Sequence, residues 1–267
     1  MDDNQFQILL DYLQYSWTGY RRVRKGVKKR IQRHMQRLGC RQVKDYIRVL
    51  DLEPAAHQEC ELLMTVSISR FFRDRRLWEM LEKHWLPDII ADEPSQLKVW
   101  SAGCACGEEV YSFNIVWERL RMNFADLPPL DLLASDRHPG YLERGRKGAY
   151  NRSSLTEVDP DCRERYFESR KGGRQFVIRE YLKSRIRWEI HHLSTAPPGT
   201  GFDIIFLRNN VLTYYRQAAR ENILNSILGS LSPGGLLIIG SHENLPSPRP
   251  TLKVGTKLPC VFQKIDL

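Results

Sequence analysis

The chain has no apolar run long enough to cross a bilayer, so a helical membrane span is not expected. Paired cysteines are missing too. Cys40, Cys60, Cys104, Cys106, Cys162 and Cys260 are scattered without the C-x-x-C spacing of a zinc site or a disulfide framework, and they read as reduced thiols in small packing roles. His191 and His192 are adjacent, and neighbouring side chains of an extended segment face opposite ways, so they make a poor ligand pair and no metal is expected. No G-K-[ST] follows a glycine-rich turn, and G-x-G-x-x-G is absent, which removes the phosphate loop and the dinucleotide fingerprint. The start, MDDNQFQILLDYLQY, has acids where a secretory leader has bases, so the expected location is cytoplasmic.

Acidic residues are absent from residues 21–44, RRVRKGVKKRIQRHMQRLGCRQVK, which hold eleven Lys or Arg. The whole chain carries +9, so the remainder sums to 9 − 11 = −2. Within the segment Val27, Ile31, Met35 and Leu38 recur at helical spacing and predict one buried stripe, with Lys28, Lys29, Arg33 and Arg37 mostly off it. Such a field either belongs to a solvated face or attracts and orients an acidic partner, a protein helix or nucleic acid. Aromatic residues do not interleave with the charges, so stacking on single strands has little support and nucleic acid is the weaker choice.

What is present suits an ordinary folded protein: 267 residues, 42% hydrophobic and 27% charged, enough for one larger domain with a smaller companion. The first part reads as helices. Phe6, Leu9, Leu10 and Leu13 share a face, the basic helix follows, and Val43, Tyr46, Ile47 and Leu50 form a third stripe before Pro54. A helical pattern on both sides of a serine-containing break is expected to end at Pro87, with DIIADEPSQ as a polar connector. From Leu97 onward short apolar runs (LKVWSAG, DLLASD, FDIIFLRN, GGLLIIGS) alternate with amphipathic ones, which implies a mostly parallel sheet covered on both faces. The expected division is a basic helical domain over residues 1–64, a linker over 65–94 and an α/β domain over 95–267.

One turn stands out at the end of the first predicted strand: SAGCACGEEVYS, residues 101–112. Gly103 and Gly107 permit a tight turn and close approach of backbone to a ligand, and the helix that follows offers free N–H groups. Glu108 and Glu109 at that helix start suit a ligand with hydroxyl or ammonium donors better than a phosphate, although acids there also complement the helix dipole. The next strand ends at Asp136, where the hydroxyls of a ribose would need an acceptor. Together these point to a nucleoside-bearing ligand.

The same residues carry a resemblance. SAGCACGEEVYS resembles the S-A-G-C-[AS]-[ST]-G-E-E-P-Y-[ST] loop of the CheR family, the chemotaxis-receptor glutamate methyltransferases, which use S-adenosylmethionine and release S-adenosylhomocysteine. SISRFFRD is similar to the family's N-x-T-x-F-F-R-[DE] linker, ASDRHPGYLERGRKGAY to its A-[ST]-D segment, RNNVLTYY to its R-N-V-[LM]-I-Y-F and LSPGGLLIIGSHENL to its K-P-G-G motif, in the family's order. The resemblance implies a Rossmann-like, doubly wound, class I methyltransferase sheet behind a small all-α domain, with a small antiparallel β subdomain at about residues 170–192.

Carried over by position, the resemblance implies that Arg73 holds the cofactor carboxylate, with Ser67 and Ser69 where the family has Asn and Thr contacts. Glu108, with Gly103 nearby, would belong to the amino-acid and ribose cradle, Asp136 would take the ribose hydroxyls, and His192 and Leu193 stand near the adenine. Asn209 or Asn210 would face the cofactor and Tyr214 the reacting methyl; RNNVLTYY has one residue more than the family pattern, so the sequence leaves the two asparagines open. Cys106 in place of Ser or Thr, His138, His192 and Ser67 are departures that mark a divergent member.

Methyl transfer from a sulfonium to a carboxylate needs no strong base, because a glutamate with a pKa of about 4.3 is already ionised near neutrality. It needs orientation, which can supply roughly 7–11 kcal/mol. No [DN]-P-P-[YF] motif for amino-group methylation is present. The reading is an S-adenosylmethionine-dependent O-methyltransferase acting on protein glutamates of a chemoreceptor-like or other signalling protein. Its catalytic residues would be Arg73 and Tyr214, and its acidic helical substrate would be met by the basic helix. The alternatives are a same-fold enzyme for a small molecule, or a cofactor-binding docking module without turnover.

Overall fold

The computed structural model describes residues 1–67, 69–124, 126–255 and 258–265. Four helices open the chain: α1 (Asp3–Tyr12), α2 (Arg24–Arg37), α3 (Val43–Leu52) and α4 (Pro54–Met64). Asp2 and Gln5 close a reciprocal capping box at the start of α1, and Pro54 occupies the first turn of α4, where its missing N–H costs nothing. The expected stripe of α2 is buried at Val27, Ile31 and Met35, joined by His34. These helices gather around Phe6, Leu9, Leu10, Tyr46 and Cys60 in a hydrophobic cluster of their own. Lys28 pairs with Asp3 and Arg37 with Glu59, whereas Lys25, Lys29 and Arg33 lie exposed with no acidic partner among the described residues.

Pro87 does not end the next helical stretch. The chain runs through α5 (Arg75–Met80), a π-helical turn at Leu81–Trp85 and α6 (Leu86–Ala91). The wider π turn changes the hydrogen-bond register just ahead of the proline, where an ordinary α turn would need the N–H that proline lacks. Part of the expected polar connector is therefore helix.

The remaining elements are β1 (Leu97–Ala102), α7 (Glu108–Leu120), β2 (Leu130–Asp136), α8 (Pro139–Lys147), β3 (Ala149–Asn151), α9 (Pro160–Tyr166), β4 (Phe167–Arg170), β5 (Gln175–Ile178), α10 (Glu180–Lys183), β6 (Ile186–Ile190), β7 (Phe202–Leu207), α11 (Val211–Tyr214), α12 (Gln217–Ser230), β8 (Leu231–Ile239), β9 (Leu252–Val254) and β10 (Val261–Lys264). Seven strands form one sheet in the order β6-β2-β1-β7-β8-β10-β9, parallel except at β10. This is the expected doubly wound α/β arrangement. Its core is apolar on both faces, with Val99, Trp100, Leu133, Ile204 and Leu237 buried.

A separate antiparallel sheet has the order β3-β5-β4. It spans residues 149–178, not about 170–192 as expected. The last strand of the expected span, β6, instead pairs parallel with β2 along Leu132–Asp136 and forms the edge of the main sheet. Alternating apolar residues suit either sheet, so local pattern alone did not separate them.

Helix α2 is tied to the rest through Arg30, whose Nε and Nη2 donate to the carbonyls of Leu63 (2.9 Å) and Thr65 (2.8 Å) at the end of α4. Arg30→Ala should lower stability by on the order of 1–2 kcal/mol, read as the urea midpoint of the full chain; an unchanged midpoint would mean that these bonds merely replace equivalent ones to water.

Candidate active site

The strand order reverses between β1 and β7, and a cavity lies beyond the carboxyl ends of the strands at that point. The turn after β1 supplies Gly103, Cys104 and Ala105; the end of β2 supplies Asp136 and Arg137; the segment after β6 supplies His191 and Leu193. Arg208, Asn209 and Asn210 follow β7, and Tyr214 closes α11. The connector between α4 and α5 contributes Ser67, Ser69, Arg70 and Arg73, and the helical unit adds Tyr15, Tyr20 and Met64.

Of the expected site residues, Ser67, Ser69, Arg73, Gly103, Asp136, Leu193, Asn209, Asn210 and Tyr214 share this one wall. Two do not. Glu109, not Glu108, lines the cavity. Successive residues of a helix point about 100° apart, and the left-handed N-cap Gly107 (φ 87°) sets the phase of α7 so that the second acid faces the ligand side. Glu108 is turned into the protein among Ser69, Ser154 and Arg144, with its Oε2 unpartnered. In the same way His191 lines the cavity while His192 turns outward to Arg137 (3.3 Å), Ser194 and Glu61. Two consecutive extended residues face opposite ways, so only one of them can.

The glycines have distinct uses. Gly103 (φ 82°) lies against Asn210; a Cβ there would come within 2.3 Å of its Nδ2. Asn210 is held by an Nδ2 bond to the Ala102 carbonyl (2.6 Å), which fastens the loop after β7 to the end of β1. Gly107 makes room for the Trp188 ring, a packing role instead of the expected approach to a ligand.

Asp136 accepts from the N–H of Ala105 (3.0 Å) and of His138 (2.8 Å), so it shapes the loop after β1 and also presents its carboxylate to the cavity. Burial raises its pKa, and the two backbone donors oppose that rise. Arg208, its side chain only 3% exposed, donates to Asp74 (2.6 Å), to Glu109 (2.9 Å) and to the Arg73 carbonyl (3.2 Å). Ser101 holds the other oxygen of Glu109 (2.7 Å). The Arg73 carbonyl takes a second bond from Trp78 Nε1 (2.9 Å), which fixes the backbone from which its guanidinium extends. Burial raises the Tyr214 pKa, Arg73 lowers it and Glu243 raises it, and the phenol stays neutral near pH 7.

Sequence reasoning named Glu109 only as one of the two acids at the start of the helix, and it missed His191, Arg208, Arg137, Tyr15 and Tyr20. Arg208 heads the RNNVLTYY stretch and was legible there; nothing local marks Tyr15 or Tyr20, which reach the cavity only through the packing of the helical unit.

The donor set fits a nucleoside sulfonium amino acid: Asp136 offers an acceptor at the end of β2, Arg73 in the same lining offers a cation, and Gly103 keeps the turn free of a Cβ. The fold and site define an S-adenosylmethionine-dependent methyltransferase of the doubly wound class. Residues 67–257 match the family model "CheR methyltransferase, SAM binding domain", and the chain belongs to that family. It is 36% identical over 186 residues to the chemotaxis protein methyltransferase of Listeria innocua, covering 70% of this chain and 68% of that one. It is 28% identical over 229 residues to chemotaxis protein methyltransferase 1 of Pseudomonas aeruginosa, covering 82% and 83%. No helix among the described residues is long and apolar enough to cross a membrane, and no group of His, Cys, Asp or Glu there could hold a metal ion.

Glu108 gives a pH test. Burial raises its pKa in the folded chain above the unfolded value of about 4.3, so its contribution to stability is present below that pH and is lost as pH rises through the raised value. The stability difference between Glu108→Gln and the parent should grow in the variant's favour between about pH 4 and pH 7, measured by urea unfolding. A difference that stays constant would show that Glu108 ionises alike in both states.

Proposed function

We propose that the protein methylates glutamate side chains of an acidic helical protein in a chemotaxis-type signalling system. The observation that carries this is one cavity whose lining gathers the residues proposed to hold the cofactor together with Tyr214, and Tyr15, Tyr20 and Met64 of the helical unit. We take residues 1–64 as the unit that meets the acceptor, 65–94 as the connector and 95–267 as the catalytic unit.

Arg73 would hold the cofactor carboxylate, Asp136 the ribose hydroxyls, and Glu109, in place of Glu108, the amino end. Ser67 and Ser69 would support the amino-acid part from the connector. His191 and Leu193 would border the adenine, with Asn209 and Asn210 fixing the loop beside it. When bound, the cofactor supplies an electrophilic methyl on a sulfonium, so an ionised carboxylate oxygen forms the new C–O bond as the C–S bond breaks and the neutral thioether leaves. Tyr214, a neutral phenol in the cavity wall, would donate to one acceptor oxygen and aim the other. Its partly buried ring also excludes water from the transfer path. No group has to take a proton, because the acceptor carboxylate is already ionised near neutrality.

Calorimetric titration with S-adenosylmethionine and S-adenosylhomocysteine should show saturable binding, reduced at least about tenfold by Arg73→Ala or Asp136→Ala, since charge-assisted bonds of roughly 1.5–3 kcal/mol are lost. Tyr214→Phe should keep that affinity and lower turnover; unchanged turnover removes Tyr214 from the mechanism.

Lys25, Lys29 and Arg33 follow one another at a spacing of four on the exposed side of α2, while Lys28 is engaged with Asp3. Changing these three to Glu should raise KM for an acidic helical peptide by on the order of tenfold and weaken its salt dependence, with cofactor affinity intact. A peptide KM indifferent to the triple change would sink the docking role of α2.

A further inference from the structure

Helix α11, which ends at Tyr214, has only four residues, too few to hold its own position. On one side Glu243 secures it: Oε1 accepts from the Thr213 hydroxyl (2.5 Å), and Oε2 accepts from the N–H groups of Asn209 (2.7 Å) and Gly240 (2.8 Å). On the other side it is met by residues 14–20, the segment between α1 and α2. The Ser16 N–H donates to the Tyr214 carbonyl (2.7 Å), the Arg216 N–H donates to the Gln14 carbonyl (2.9 Å), and Tyr15 pairs antiparallel with Tyr215. The Tyr20 ring lies against the Tyr214 ring, centroids 5.0 Å apart and planes at 58°, and the Tyr15 ring stands edge-on to Tyr215 at 4.9 Å.

Gly19 permits the approach. A Cβ at this position would fall 2.1 Å from the Thr213 carbonyl oxygen and 3.1 Å from the Tyr214 Cα, both backbone atoms that cannot swing aside. The segment is anchored in turn: Tyr20 donates to the Met64 carbonyl (3.1 Å), and Arg137 donates to the Tyr15 hydroxyl (3.0 Å). Tyr15 and Tyr20 are buried, and both line the cavity beside Tyr214.

We propose that residues 14–20 form a strap from the helical unit, and that Gly19 and Tyr20 are positioning residues which set Tyr214 against the cavity. The helical unit thereby completes the catalytic site in addition to meeting a partner. The strap's importance for transfer rests on the role given to Tyr214 above; its effect on the position of Tyr214 does not.

The test places 3-fluorotyrosine at position 214 of the full chain and follows its fluorine resonance and phenol titration by NMR. Backgrounds are the parent, Gly19→Ala, Tyr20→Leu and, as a control that loosens the helical unit away from the strap, Tyr46→Phe, which removes the His34–Tyr46 bond. Tyr214 is faced by Tyr20 from the strap, Arg73 from the connector and Glu243 from the turn after β8. Loss of strap cover should admit water, move the resonance and bring the titration down toward that of the free amino acid in both strap variants, with the control unchanged. Should Gly19→Ala fail to fold, Tyr20→Leu alone decides. An unmoved resonance in the strap variants, or an equal shift in Tyr46→Phe, overturns the proposal. Methyl transfer to an alanine-rich helical peptide carrying paired glutamates should fall by on the order of 10²-fold in Gly19→Ala while S-adenosylhomocysteine affinity holds. A moved resonance with undiminished transfer supports the strap and removes the role given to Tyr214; a parent that leaves the peptide unmodified counts against protein-glutamate methylation, and the resonance still decides the strap.

Discussion

A guanidinium taken out of water has to be met by opposite charge and by acceptors for its N–H groups, and Arg208 is met on three sides. Asp74 comes from the connector, Glu109 from the first turn of α7, and the Arg73 carbonyl from the connector again. The cavity depends on this cluster. It ties the end of β7 to the first turn of α7 and sets the backbone of Arg73, with Arg208 lying 99 residues from Glu109 and 135 from Arg73 along the chain. Because the buried guanidinium is met by both acids, displacing either one leaves part of its charge uncompensated, which favours the fixed geometry an orientation-driven reaction requires.

A second group of contacts joins the helical unit to that frame. Arg137 follows Asp136 directly and reaches Tyr15, Glu61 and the Glu61 carbonyl, so the strand that ends in the proposed ribose acceptor also holds α4 and the strap. Helix α2 is bound to the same region by Arg30, at the point where the chain leaves α4 for the cavity wall. The unit that presents free cations to solvent is therefore continuous with the wall of the site. On the proposed reading, charge on α2 would attract the acidic partner, while Tyr15 and Tyr20 form part of the cavity wall.

Much of this was legible in the residues. The alternation of apolar runs implied the parallel sheet, the loop 101–112 marked the carboxyl end of β1, and nine of the residues named as site candidates line one cavity. The misreadings share a cause. Glu108 against Glu109 and His192 against His191 are choices between neighbours of identical chemistry, and the expected place of the small antiparallel sheet failed because β6 is as compatible with one sheet as with the other. Pro87 was misjudged because a π turn ahead of it is a property of packing, invisible in a pattern of residues.

The sequence by itself determined the family, the succession of helices ahead of a mostly parallel sheet and the concentration of cations on α2, since these follow from motif, periodicity and charge, all of which are written along the chain. Only the tertiary structure decided which acid and which histidine face the cavity, because that depends on the phase in which an element leaves its turn, set here by the left-handed Gly107 and by the alternation after β6. It alone brought residues 14–20 onto Tyr214. That contact spans nearly two hundred residues and requires a glycine for steric reasons at Gly19, where nothing in the neighbouring sequence calls for one.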